Sequence, residues 1–217
     1  MLLSGVVGST AYGLATPESD IDRLGVFAAP TETLHGLTEP RQSWVTTGPD
    51  TTYHEAAKFC RLALSSNPTA IELLWLPDML YETCSSLGET LVGIRDAFPC
   101  AMRVRDAYLG FASQQAHRIG QRGQDPRKVA KHARHLMRLC EQGFGLYASG
   151  RLQVHVADPA AVMAFGERVA DGDTAAVTGL VSRYRDLFDG VSSALRDSPT
   201  VDVVERWLHH VRRYYYV

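Results

Sequence analysis

The sequence predicts an α+β protein, with strands at the front of the chain and helices behind them. Three observations predict it. Short apolar or alternating runs bounded by Gly and Pro fill the region before Asp50. From His54 the apolar residues recur at helical spacing, and from Thr83 onward only helical patterns follow. Of the 217 residues, 45% are hydrophobic and 21% charged, which suits a chain that folds around a core and excludes a disordered or collagen-like one.

The first element is Leu2 to Val7, a continuous apolar run that reads as a buried strand ending at Gly8. Gly8-Ser9 opens a loop or short helix through Leu14, and Ala15 to Ser19 is a turn punctuated by Pro17. Asp20 to Ala29 alternates as a second strand and Pro30 ends it. Ser43 to Thr47 is a third, leading through Gly48-Pro49 to Asp50. Ala56, Phe59, Cys60, Ala63 and Leu64 then form one helix face. Asn67-Pro68 starts another helix, with Pro68 in its first turn, and Pro77 closes it. Later helices are separated by Pro99, Asp125-Pro126, Gly150, Asp158-Pro159, Gly172 and Ser198-Pro199. The order predicts two domains, 1–98 and 99–217, the second a helical bundle.

The net charge of -2 argues against a dedicated nucleic-acid coat protein. It hides a split: residues 1–100 carry 12 acids and 5 bases, and residues 101–217 carry 12 acids and 17 bases. Such a split suits a metal beside a phosphate, and chance produces it as well. Cys60, Cys84, Cys100 and Cys140 form no CxxC pair and no zinc set, so free buried thiols in a reducing, cytoplasmic setting are expected. Met1 to Val7 lacks a signal peptide's basic region, and no apolar stretch is long enough for a membrane span. Trp44, Trp75 and Trp207 sit in apolar contexts and read as core.

The chemistry concentrates in Gly8 to Val26, GSTAYGLATPESDIDRLGV. In a strand, Asp20 and Asp22 would point to one face. Two adjacent carboxylates repel unless a cation or proton lies between them, and hard oxygens suit Mg²⁺ or Mn²⁺. Alone, the pair reads as two solvated acids. Gly8-Ser9, between a strand and a helix, can offer backbone N–H groups and a hydroxyl to phosphate, though alone it is a simple turn. Together they supply what phosphoryl or nucleotidyl transfer needs, a held triphosphate and metal ligands beside it.

Gly8-Ser9 followed by Asp20-Ile21-Asp22 resembles the signature of nucleotidyltransferases of the DNA polymerase beta superfamily. The longer block resembles one branch, the nucleotidyltransferases associated with RNA repair (the RlaP domain). Asp50 to Trp75 and Lys131 to Leu152 are similar to the same branch. The resemblance implies a small mixed β-sheet palm with flanking helices in the first domain. It implies transfer of a nucleoside monophosphate from a nucleoside triphosphate to an acceptor hydroxyl, with Mg²⁺ or Mn²⁺ held by Asp20, Asp22 and a third carboxylate. Asp50 is the best match for the third, and Glu55, at a helix start, is the competitor better suited to capping. Nucleotide contacts are implied at Gly8, Ser9, Tyr12, Ser19, Lys131, His135 and Arg138. RNA ends are the acceptor the branch suggests, and small-molecule or protein hydroxyls stay open. Members usually carry a helix before the first strand. Here the strand begins almost at Met1, so either that helix is dispensable or the start lies upstream.

Lys128, Lys131, His135 and Arg138 fall on one side of a helix, apart from an apolar stripe of Val129, Ala133, Leu136 and Cys140. Periodicity reads them as a solvated basic ridge, and the resemblance turns the ridge into a phosphate clamp. The tail from His209 to Tyr216 reads as a helix docking through its tyrosines or as a base-stacking surface. The alternative to an enzyme is a non-catalytic nucleotide- or RNA-binding protein, such as a toxin–antitoxin partner.

Overall fold

The computed structural model describes residues 1–48, 50–121 and 123–216. It divides into two compact units, Met1–Pro99 with the segment from Ser198, and Cys100–Asp197. The C-terminal segment, placed with the helical domain from sequence order, belongs instead to the first unit.

In the first unit, β1 (Leu3–Val7), β2 (Asp22–Phe27), β3 (Ser43–Thr47), β4 (Asp50–Glu55) and β5 (Tyr81–Cys84) form a sheet in the order β3-β4-β2-β1-β5. The sheet is mixed: β2 and β4 run parallel, and every other neighbouring pair is antiparallel. β1 lies between β2 and β5, which is why Leu2–Val7 is apolar without alternation. Two strands escaped the sequence reading. Asp50 does not end the third strand but opens β4, whose Thr51, Thr52 and Tyr53 are strand formers. The helical pattern begins at Ala56 rather than His54. β5 has four residues, too few to show a period.

The helices of this unit are α1 (Gly8–Tyr12), α2 (Ala56–Leu64), α3 (Pro68–Leu73), α4 (Ser86–Gly93) and α9 (Val201–Tyr214). Asn67 caps α3 through Oδ1, which accepts the Thr69 and Ala70 N–H groups, with Pro68 at the first position as expected. Ser85 caps α4 by accepting from Gly88. Leu2, Leu3, Val26, Phe59, Ile71, Leu73 and Leu91 form the core. α9 docks by specific bonds: Trp207 Nε1 donates to the Leu87 carbonyl at 3.0 Å, and Thr31 Oγ1 donates to the Arg212 carbonyl at 2.6 Å. Arg212 also meets Glu55 at 2.6 Å. The tail therefore docks as a helix, but through Trp207 and Arg212 rather than through Tyr214 and Tyr216, which are exposed.

Of the three tryptophans, Trp207 is buried, Trp75 is half-buried and Trp44 is 51% exposed. Trp44 lies on edge strand β3, where only one sheet neighbour can cover it, and the Arg41 guanidinium stacks on its ring at 4.2 Å.

The second unit holds α5 (Ala101–Ile119), α6 (Pro126–Ser149), α7 (Pro159–Ala170) and α8 (Ala175–Gly190). α6 is its central helix, packing on the other three. Gly143 permits the closest approach: a Cβ there would sit 2.5 Å from the Tyr108 side chain of α5. Val104, Tyr108, Leu136, Leu139, Val162 and Phe188 are buried.

All four cysteines are free. Cys60, Cys100 and Cys140 are buried as expected, while Cys84 is exposed at the end of β5. Burial pushes the Cys60 and Cys140 thiols up to about 12, so both stay protonated and unreactive. Among the described residues no helix is long and apolar enough to cross a membrane.

Candidate active site

The site is built by strand register. β1 ends at Val7, and Val7 pairs with Asp22, the first residue of β2. Arg23 of β2 pairs with Thr51 of β4, so one step back along both parallel strands sets Asp22 beside Asp50. Paired residues of neighbouring strands share a face. Gly8, Asp22 and Asp50 thus lie at one end of three adjacent strands, β1, β2 and β4.

Gly8 makes this junction possible in two ways. Its φ of +70° lies in the left-handed region, which turns the chain sharply out of β1 into α1. A Cβ at Gly8 would also sit 2.0 Å from Asp22 Oδ2, so the Asp22 carboxylate rests directly on the glycine. Ser9 follows half-buried, and its hydroxyl has no partner among the described residues. Gly13, at φ +74°, closes α1 with N–H groups returning to the Ser9 and Thr10 carbonyls.

The paired-carboxylate geometry differs from the strand expectation. β2 begins at Asp22, and Asp20 lies in the preceding loop, exposed beside an Ile21 that is 50% exposed. The cause is the turn at Gly8: once β1 leaves the sheet, Asp20 and Ile21 have no strand on that side to pair with. Asp20 is therefore positioned by the loop. Ser19 shapes that loop, its Oγ accepting the Thr16 N–H at 2.9 Å and its own N–H returning to the Thr16 carbonyl.

The two candidates for the third carboxylate have opposite surroundings. Asp50 is exposed and has no partner among the described residues. Glu55 is buried; Oε2 accepts the Ala57 N–H at 2.8 Å, capping α2, and Oε1 accepts from Arg212. The capping role read for Glu55 is the one it fills. Its partner Arg212 lies 157 residues away, which no local pattern reveals.

Tyr12 points inward, its hydroxyl donating to the buried Glu72 at 2.6 Å. A bond to a carboxylate of this kind contributes about 1.5–3 kcal/mol. Tyr12→Phe should lower unfolding free energy by about that much in urea titration. An unchanged denaturation midpoint would contradict the pairing.

A further polar cluster went unread in the sequence. Ser43 Oγ lies 2.8 Å from His54 Nδ1 and accepts from Lys58 Nζ at 2.7 Å. Burial first, then the Lys58 charge, lowers the His54 pKa, so the neutral ring accepts the Ser43 proton. His54 shares the Asp50 face but lies at the far end of β4.

In the second unit the basic ridge of α6 is not uniformly solvated. Lys128 and Lys131 are exposed, His135 is half-buried and Arg138 is 2% exposed. Arg138 Nη1 donates to Gln142 Oε1 at 2.6 Å, and Gln142 Nε2 donates to the Val154 carbonyl at 2.5 Å. Helical spacing gave the direction of these side chains but not the chain that covers them, because Val154 follows the end of α6.

Burial pushes His135 down to about 3, with Arg138, Lys131, His132 and Arg118 adding repulsion. Its folded pKa thus lies below the unfolded value of 6.5. Stability is full above pH 6.5 and falls as pH drops toward 3, because the unfolded chain takes the proton more readily. The loss by pH 5 should be about 2 kcal/mol. Unfolding curves of the wild type and His135→Gln between pH 7.5 and about 5 check this; parallel pH dependence in both would contradict it.

Among the described residues no three His, Cys, Asp or Glu side chains stand close enough to hold a metal as they are. The donor chemistry nevertheless fits a hard divalent cation: Asp20 and Asp50 are exposed carboxylates with no partner among the described residues, and register places Asp22 next to Asp50.

A family model, RNA repair pathway DNA polymerase beta family (RlaP), matches residues 1–164. The chain belongs to that family. No curated protein matches it.

Proposed function

We propose that the protein is a metal-dependent nucleotidyltransferase that moves a nucleoside monophosphate from a nucleoside triphosphate to an acceptor hydroxyl, with an RNA end as the acceptor. The observation that carries the reading is the meeting of Gly8-Ser9, Asp22 and Asp50 at one end of β1, β2 and β4. Membership of the RNA-repair family supports both the reaction class and the acceptor.

Asp20 and Asp22 would hold Mg²⁺ or Mn²⁺, with Asp50 sharing it. When bound, the metal neutralises phosphate charge and polarises the reacting phosphate oxygens. The chain's own residues position and exchange protons. Backbone N–H groups at Gly8 and Ser9, with the Ser9 hydroxyl, receive the β- and γ-phosphates. Asp50 orients the acceptor hydroxyl and accepts its proton. The acceptor oxygen forms a bond to the α-phosphorus, the bond to the bridging oxygen breaks, and pyrophosphate leaves. Ser19 acts by shaping the loop that carries Asp20. The lack of a partner for Asp50 among the described residues and the bonds already made by Glu55 support Asp50 as the third carboxylate.

All of these catalytic residues lie in the first unit. In the second, Lys131 stays an exposed cation suited to phosphate, while His135 and Arg138 serve the packing of α6. The four free thiols support a reducing, cytoplasmic setting.

The test uses triphosphates labelled at the α- or γ-phosphate, Mg²⁺, and RNAs with free or blocked terminal hydroxyls. The expected result is α-label on the free-hydroxyl RNA and γ-label released in pyrophosphate. Tight nucleotide binding without label transfer would overturn the enzyme reading in favour of a non-catalytic binding protein.

A further inference from the structure

The second unit carries 10 acidic and 14 basic residues, and part of that excess converges on one hollow. The hollow, of about 470 Å³, lies where α5 ends and α6 begins. Arg118 enters it from the last turn of α5, Lys128 from the first turn of α6, and His132 from one turn further on. Neither Arg118 nor Lys128 has an ion-pair partner among the described residues. Asp125 is the one carboxylate in the lining, and its Oδ1 already accepts the Arg127 N–H at 2.9 Å as the cap of α6.

His132 has a fixed orientation. Its Nδ1 lies 2.9 Å from the Gln115 side-chain oxygen, which only accepts, so Nδ1 carries the hydrogen and Nε2 is left for a ligand. The groups facing it are Gln115 and Arg118 on α5, and Lys128 and Lys131 on α6. Burial, then Arg118, Lys131 and Lys128, hold its pKa below 6.5. An anion in the hollow would offset those three cations and let the imidazole take a proton, adding a third donor.

We propose that this hollow is a phosphate-binding subsite of the helical unit, with Arg118 and Lys128 as its two fixed cations and His132 Nε2 as a donor recruited by the ligand. The phosphate is one carried along a polynucleotide strand, and this choice of bearer rests on the RNA-acceptor reading above. The hollow is wide, polar and open to solvent, which suits a backbone passing through rather than an enclosed small ligand.

The test follows the His132 ring signal by NMR through a pH titration of the full chain, without metal or triphosphate substrate. One arm adds a short single-stranded RNA and the other adds inorganic triphosphate. The RNA should raise the His132 titration midpoint by about one pH unit. The doubly substituted Arg118→Gln, Lys128→Gln chain should start from a higher midpoint and show no further rise. Both positions are exposed, and the His132 signal itself reports that the unit is folded. RNA affinity in that variant should lose about 0.7 of its logarithmic salt slope per removed cation. A variant with Asp20 and Asp22 both replaced by Ala should respond to RNA as the wild type does, so a failure of catalysis leaves this inference standing. No movement of His132 with either anion would overturn it, as would an unchanged salt slope in the double variant. Movement with triphosphate alone would overturn the strand as the bearer.

Discussion

Gly8→Ala should lower nucleotidyl transfer by about a hundredfold while leaving the fold largely intact, because a misplacement of about 1 Å at a reacting centre costs that much. The new methyl group has nowhere to go: its position is 2.0 Å from Asp22 Oδ2. The backbone φ of +70° adds strain for any residue with a Cβ. Relief comes by pushing the Asp22 carboxylate away or by swinging Ser9 out, and both spoil the proposed site. Gly93→Ala is the control, since among the described residues a Cβ there meets nothing within 4 Å. Measured kcat/KM for label transfer should separate the two variants. Equal activity would mean that the contact between Gly8 and Asp22 does not matter to the reaction.

Arg212→Ala should destabilise the protein by about 3–5 kcal/mol, the usual result of removing one partner from a buried ion pair. Arg212 and Glu55 are 15% and 5% exposed, and their atoms meet at 2.6 Å. Removing the guanidinium leaves the carboxylate buried near Cys60, whose own pKa the Glu55 charge helps to raise. It also loosens α9, which holds Thr31 through the Arg212 carbonyl. Combining Arg212→Met with Glu55→Gln should recover much of the loss, because no unpaired charge then remains. Chemical denaturation of the single and combined variants measures both. A cost under about 1 kcal/mol for Arg212→Ala would show that the pair behaves as an exposed one.

The same two places show how far the sequence could be read. Gly8-Ser9 and the Asp20-Ile21-Asp22 motif stand out in the sequence through local features, a glycine turn after an apolar strand and a motif that resembles a known family, and Asp50 through that resemblance alone. The loop position of Asp20 was not legible, because it depends on where β1 leaves the sheet and not on the alternation of β2. β4 was hidden because Thr51 and Tyr53 precede a strong helical pattern whose start reads two residues early from the sequence. The return of α9 to the first unit was hidden as well. Its anchors, Trp207 with Leu87 and Arg212 with Glu55, join positions 120 and 157 residues apart. In α6, spacing correctly placed Lys131, His135 and Arg138 on one side, but it does not show that Arg138 is buried or that its partner Gln142 bonds the later Val154 carbonyl. The charge split is likewise better drawn by unit than by half of the chain, since Arg206, Arg212 and Arg213 belong with the acidic sheet.

The central claim is that the carboxylates at the end of β1, β2 and β4 perform nucleotidyl transfer. Its most direct test is α-label transfer to an acceptor RNA by the variant with Asp20→Ala and Asp22→Ala together, alongside the wild type. Circular dichroism and the thermal transition, measured alongside, establish that the variant is folded before its transfer is read. The account predicts no transfer above background from that folded variant. Transfer at the wild-type rate would contradict it.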